Sequence, residues 1–278
     1  MKKLLILPFL FACIFAVQAQ RSYTLTSPNG HLATAITAGE TLTYDIVRDG
    51  KTLMMPSPIS LILSDGRKWG PAAHIQKALR ATVDETVSAP FYRASEIRDR
   101  YNALTLRMRG GWSVEFRVYD DGVAYRFATT SKEPFEIMNE QAEYRFSEER
   151  PVTVPYVRDH AGNIDLQWRN SFENTYTETT LSRLDAGRLI FLPAIVHVAD
   201  GVNICFTETD LNDYPGMYLW NGDGGQHLTA RFAPYPKRVE QGGYNNLQMI
   251  VEEREPFIAR IGKARSFPWR VAIVGTHA

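Results

Sequence analysis

The chain has 278 residues, 44% hydrophobic and 12% aromatic, which is enough apolar material to fill the core of one large domain or two small ones. Lys plus Arg number 31 and Asp plus Glu number 31, so the formal net charge is zero. That balance excludes the one-signed field with which a protein neutralises nucleic-acid phosphates or an anionic bilayer.

The first 19 residues predict a signal peptide. Lys2 and Lys3 precede an apolar run over residues 4–17, and Val17-Gln18-Ala19 puts small residues where a signal peptidase reads, so cleavage is expected after Ala19. The run is too short for a comfortable membrane span, which predicts an exported, periplasmic protein. A second reading takes Leu10-Phe11-Ala12-Cys13 as a lipoprotein box with Cys13 lipidated, against which stand the bulk of Phe11 and the apolar residues beyond the cysteine. Past the leader, Cys205 is the only cysteine, so neither an internal disulfide nor a cysteine-built metal site is expected. Its setting in Val202-Asn203-Ile204-Cys205-Phe206 reads as that of a small buried apolar residue in a strand.

The mature chain reads as almost entirely β. Residues 32–36 and 41–47 alternate and turn at Asp49-Gly50, and residues 60–63 turn at Asp65-Gly66. Residues 71–81 could hold a helical turn or two. Leu104, Leu106 and Met108 alternate with polar residues, Gly110-Gly111 supplies a two-residue turn, and Trp112, Val114, Phe116 and Val118 alternate in turn. The chain turns again at Asp120-Asp121-Gly122 into residues 123–127, giving a three-stranded meander with one apolar face. Residues 147–180, with Pro151, Pro155, Gly162, Asn170 and Asn174, predict long loops of the kind that carry function on a rigid scaffold, and residues 182–187 a short turn. Such spacing predicts a two-sheet sandwich and not a βαβ fold.

Motifs that could support catalysis alone are missing: no nucleophile elbow, phosphate loop, dinucleotide fingerprint or His-Glu-x-x-His run is present. His197 lies in a strand-like apolar run and reads as a hydrogen-bonded structural histidine. Asp159, Asn163 and Asp165 lack the spacing of an EF-hand and read as a solvated turn in preference to a calcium loop.

Longer motifs carry a resemblance. Residues 116–127, Phe-Arg-Val-Tyr-Asp-Asp-Gly-Val-Ala-Tyr-Arg-Phe, are followed by residues 206–219, Phe-Thr-Glu-Thr-Asp-Leu-Asn-Asp-Tyr-Pro-Gly-Met-Tyr-Leu, and then by Pro268-Trp269-Arg270-Val271, after an opening Ser27-Pro28-Asn29-Gly30. In this order they resemble the amino-terminal domain of glycoside hydrolase family 97, exported enzymes that degrade α-glucosides and α-galactosides, over residues 22–271. The resemblance implies an all-β fold, a large two-sheet β-supersandwich similar to galactose mutarotase, packed in those enzymes against a catalytic (β/α)₈ barrel. A barrel needs on the order of 250 residues. Only eight follow Arg270, so the barrel and its paired catalytic carboxylates are expected to be absent from this chain and no catalytic residue is assigned.

The resemblance also implies a calcium ion in the complete active site, with one glutamate ligand lent by the sandwich. Glu173, in Asn170-Ser171-Phe172-Glu173-Asn174-Thr175-Tyr176, best matches the aromatic-Glu pattern that carries it, with Glu178 and Glu208 as alternatives. Calcium takes about six to eight oxygen ligands, so the sandwich alone is expected to bind it poorly. Glu208 and Asp210 read also as hydrogen-bonding groups around the Tyr214-Pro215-Gly216 turn, and Trp168, Trp220 and Trp269 as core or interface residues more than sugar platforms. A sandwich made to bury one face against a barrel should expose apolar residues near 147–180 and the carboxy-terminal end. Three readings stay open: a non-catalytic family 97 domain working with a barrel in cis or in trans on α-glycosides, a stand-alone carbohydrate-binding or scaffolding module, and, by fold analogy alone, a sugar epimerase.

Overall fold

The computed structural model describes residues 20–199 and 201–276; the expected leader and Cys13 lie outside them. In chain order the strands are β1 Arg21–Thr26, β2 Leu32–Ala38, β3 Leu42–Arg48, β4 Lys51–Leu63, β5 Lys68–Trp69, β6 Ile75–Ser88, β7 Glu96–Met108, β8 Trp112–Tyr119, β9 Gly122–Thr129, β10 Phe135–Arg145 and β11 Pro151–Pro155. There follow β12 Tyr176–Thr180, β13 Ala194–Ala199, β14 Val202–Thr209, β15 Met217–Trp220, β16 His227–Phe232, β17 Pro236–Gly242, β18 Gln248–Arg254, β19 Ala259–Ile261, β20 Arg265–Ser266 and β21 Trp269–Thr276. Among the described residues helix is limited to short 3₁₀ turns, and none is long and apolar enough to cross a membrane.

Two antiparallel sheets make the all-β sandwich that the alternation predicts. One runs β1-β2-β3-β4-β10-β16-β15, with β5 on β4 and β19 on β10; the other runs β12-β11-β13-β14-β21-β9-β8-β7-β6, with β20 on β9. The β17–β18 hairpin pairs with neither. Alternation sets the layers: Leu32, Ile36, Tyr44 and Ile46 of the first sheet and Leu104, Leu106, Val114 and Phe116 of the second are buried in one continuous core. Aromatic pairs sew the sheets together. Trp69 stacks on Trp112 with centroids 5.5 Å apart, Tyr44 meets Phe116 and Tyr125, and Tyr144 meets Phe206 at 4.1 Å. Truncating any of these rings to alanine would cost about 3–5 kcal/mol.

Three local expectations are corrected. Residues 71–81 give no helix: 75–88 form β6, paired residue for residue with β7 from Lys77 onward, so the ladder offered by β7 overrides local preference. The turn at Gly110-Gly111 spans three residues, because Met108 pairs with Trp112 and Arg109 joins the loop. Residues 147–180 are not all loop. They begin and end in β11 and β12, paired Pro151↔Thr180 through Pro155↔Tyr176, leaving residues 156–175 as the excursion between them.

Candidate functional site

The excursion over residues 156–175 is held rigid by its own small core. Val157, Leu189, Phe191 and Tyr218 are buried together, with Ile164, Trp168 and Trp220 packed against them. Gln167, fully buried, donates to the carbonyls of His160 at 3.0 Å and Gly187 at 2.7 Å and accepts from the Leu189 amide at 2.7 Å. A buried amide with all these bonds made pins the loop in one conformation, because each bond lost would leave a desolvated polar atom.

This frame presents Glu173. Asn170 donates to the Tyr218 hydroxyl at 2.9 Å and accepts from the Phe172 amide at 2.8 Å, an Asx turn that admits φ of 56° at Phe172. The Phe172 ring stacks on Tyr218 and meets Phe191 edge-on, both with centroids 5.9 Å apart. On the other side Asn174 donates to the Tyr156 carbonyl at 2.9 Å. Glu173 therefore sits between two anchored neighbours, with its own side chain exposed and no hydrogen bond or ion pair among the described residues.

The other two glutamates lie elsewhere. Glu178 is exposed on the edge strand β12, opposite Thr153. Glu208, on β14, is mostly buried, and its oxygens accept from the Met217 amide at 2.9 and 3.1 Å and from Arg270 Nη1 at 2.5 Å. Burial pushes its carboxyl up, opposed by Arg270 and the Met217 amide. The reading of Glu208 as a brace of the 214–216 turn agrees with these bonds. Asp210 instead accepts from Asn212 at 2.7 Å and lies 3.5 Å from Arg126. Among the described residues no group of three or more His, Cys, Asp or Glu side chains could hold a metal ion. A hard cation here would find Glu173 and Asp165 as the loop's exposed carboxylates without a hydrogen bond or ion pair among the described residues, fewer oxygen donors than calcium requires.

A cleft of about 540 Å³ opens beside the loop, lined by Asp159, Trp168, Asn170, Met249 and Arg254 among others. It lies between the loop and the β17–β18 hairpin, which are joined by Arg169 Nη2 donating to Gln248 at 2.8 Å. Both elements that border the cleft also carry exposed apolar side chains, Leu166 and Phe172 on the loop with Tyr176 just after it, and Tyr244, Leu247 and Met249 on the hairpin, of which Met249 lines the cleft. The hairpin's share of this face was not read from the sequence, although the 244–249 run Tyr-Asn-Asn-Leu-Gln-Met in a turn was its signal. The aromatic residues sort as expected: Trp269 is buried under Arg117 and Arg126, Trp220 donates to the Ala186 carbonyl at 2.8 Å, and Trp168 packs edge-on against Tyr218. His197 bonds Thr153 at 3.0 Å and Asn203 at 2.6 Å and is a structural strand histidine. Cys205 is half-buried in β14, and burial pushes its thiol up.

A sandwich of two large antiparallel sheets with one braced loop and one detached hairpin beside a cleft is the class of domain in hand. The chain matches the Glycosyl-hydrolase 97 N-terminal family over residues 25–278 and belongs to it. It is 49% identical over 277 residues to a retaining alpha-galactosidase of Bacteroides thetaiotaomicron, covering 99% of this chain and 42% of that protein. Among solved structures it is similar to a Glycoside Hydrolase Family 97 enzyme in complex with acarbose from Pseudoalteromonas sp. strain K8, with a TM-score of 0.70, 21% identity, and coverage of 91% of this chain and 35% of that one. A beta-arabinopyranosidase gives a TM-score of 0.73 at 20% identity, covering 91% of this chain and 40% of its own. These two likenesses speak for the fold.

Proposed function

We propose that this chain is the non-catalytic sandwich of a family 97 glycoside hydrolase, exported to the periplasm, that packs against a catalytic barrel in cis or in trans. In that assembly Glu173 lends one calcium ligand to a site that hydrolyses α-glycosides. The observation that carries the reading is the 49% identity to a retaining alpha-galactosidase of which the chain spans 42%, which makes α-galactosides the first substrate class to test. The braced loop supports the role of Glu173: an exposed carboxylate fixed by Phe172 and Asn174 can reach across an interface without ordering a mobile segment first. Calcium, when bound, would polarise the substrate as a Lewis acid. The residues of this chain do the positioning. Gln167, Asn170 and Tyr218 hold the loop, and the apolar residues beside the cleft supply the surface that a barrel would cover.

The test combines the chain with a family 97 barrel and follows hydrolysis of an aryl α-galactoside. Activity is expected to need both parts, and Glu173→Gln should raise the calcium concentration for half-maximal activity at least tenfold while leaving the melting temperature of the sandwich unchanged. Unaided turnover by the chain would refute the non-catalytic role. An unchanged calcium requirement would remove Glu173 from the site, and oligosaccharide binding by the chain alone would favour the stand-alone module.

A further inference from the structure

The second sheet ends at β6, which pairs with β7 on one side and with no strand on the other among the described residues. Such an edge is a row of unused backbone donors and acceptors, ready to take another strand. It is also long, 14 residues. Pairing between β7 and β8 begins only at Asn102↔Val118, so the pairs from Val83↔Tyr101 to Ser88↔Glu96 form a two-stranded arm beyond the sheet. The tip of the arm carries Phe91 and Tyr92, 103% and 63% exposed.

The charges along β6 are divided by face. Arg80 turns inward and donates to the Thr24 carbonyl at 2.8 Å, and Asp84, on the same face, is held by Arg98 at 2.7 Å. On the opposite face run Lys77, Leu79, Ala81, Val83 and Glu85. Lys77 and Glu85 have no ion pair or hydrogen bond among the described residues, and they stand four positions either side of Ala81.

We propose that β6 is a self-association edge that pairs antiparallel with β6 of a second copy of this chain about a two-fold axis at Ala81. A two-fold axis normal to a sheet keeps each side chain on its own face, so positions that meet differ by an even number of residues. With the axis at Ala81, Lys77 meets the partner's Glu85, Leu79 meets the partner's Val83, and Ala81 meets the partner's Ala81. Two ion pairs thus flank a small apolar centre, each member of which is free to make its contact. Neighbouring registers are disfavoured. An axis at Arg80 sets Arg80 against itself, and an axis at Thr82 sets Leu79 against a glutamate. The inference is independent of the glycosidase reading.

Sedimentation velocity of the full chain, over a concentration series reaching the millimolar range, should show a reversible dimer. Lys77→Glu and Glu85→Lys should each weaken it roughly tenfold or more, since each turns two attractive cross-strand pairs into two repulsive ones, and the double exchange should restore it. Mild oxidation should cross-link Ala81→Cys through the axis, where opposed Cβ atoms lie about 5 Å apart. Val83→Cys, on the same exposed face but about 13 Å from its own copy, should not cross-link. A monomer at every concentration, a dimer indifferent to both charge reversals, or equal cross-linking at positions 81 and 83 would each overturn the proposal.

Discussion

Arg270 is a charged residue at 2% exposure, and what surrounds it explains how it is tolerated. Its Nε and Nη2 donate to Glu140 at 2.7 Å, its Nη1 to Glu208 at 2.5 Å, and Tyr214 closes the group with a 2.9 Å bond to Glu140. Burial works against the charge, but the two carboxylates outweigh it and hold the guanidinium protonated above its ordinary range. Glu140 is on β10 and Arg270 on β21, so the group ties one sheet to the other. Arg270→Met should cost about 3–5 kcal/mol at neutral pH, because it strands two buried carboxylates without a counter-charge. Glu208, already pushed up by burial, would rise further without Arg270 and take up a proton in the folded chain as pH falls. Stability linked to a raised carboxyl is present at low pH and lost as pH rises through its folded value, so the gap between variant and parent in urea denaturation should narrow from pH 7 to pH 5. A gap that widens would contradict the assignment. Glu149 has the opposite sign. The Ser182 amide and then the Gln226 side chain hold its carboxyl down at about 2, against an ordinary 4.5, so its contribution is present above the ordinary value and disappears as pH falls toward 2. The urea midpoint of Glu149→Gln should therefore lie below that of the parent near pH 6 and coincide with it near pH 2.

Single elements were legible wherever one face of a strand is buried. The meander of β7, β8 and β9 follows the alternation Leu104, Leu106, Met108 and Trp112, Val114, Phe116, and the Asp49-Gly50 pair makes a tight two-residue turn with φ of 49° and 78°. β6 was not legible because nearly all of it is exposed and its apolar residues Ile75, Leu79, Val83 and Val87 recur every four positions, a spacing that suits a helix as well as a strand, so its conformation is imposed by β7. The brace of residues 156–175 was legible only as a loop. Gln167 looks like any polar residue until Leu189 and Gly187 close around it, and that closure is a tertiary event. Within the elements, glycine separates tight sites from loose ones. Gly70 has φ of 127°, and a Cβ there would stand 2.6 Å from the Ile59 carbonyl, whereas Gly66 has φ of 84° with nothing within 4 Å. Gly66→Ala should cost about 1 kcal/mol, the strain of its backbone angle alone. Gly70→Ala should cost more than about twice that, since β5 must back away from β4 and carry Trp69 off Trp112. Thermal melts of the two variants measure the difference, and equal shifts would show that the approach of the chain at Gly70 is not tight.

At the scale of the whole molecule, exposed apolar side chains gather where the fold does not need them. Tyr244 and Leu247 are each 80% exposed at the turn of a hairpin that pairs with neither sheet, and Met249 is 67% exposed beside them. Side chains so placed contribute little to the stability of the sandwich, yet with Leu166 and Phe172 on the loop they leave exposed apolar groups on both elements that border the cleft, which is the mark of an interaction site. Phe172 cannot separate the two roles, since it also stacks on Tyr218 and Phe191. The hairpin can. Replacing Tyr244 and Leu247 together with serine should move the urea denaturation midpoint by less than the equivalent of about 0.5 kcal/mol. If a catalytic barrel covers this face, the same double variant should weaken association with a barrel supplied in trans by at least tenfold, because side chains at the centre of an interface carry a large share of its binding energy. Titration calorimetry on parent and variant reads this directly. Unchanged affinity would place the barrel on another face of the sandwich and leave these residues to a different partner, while a variant that loses both folding and binding would show that the hairpin is part of the core after all.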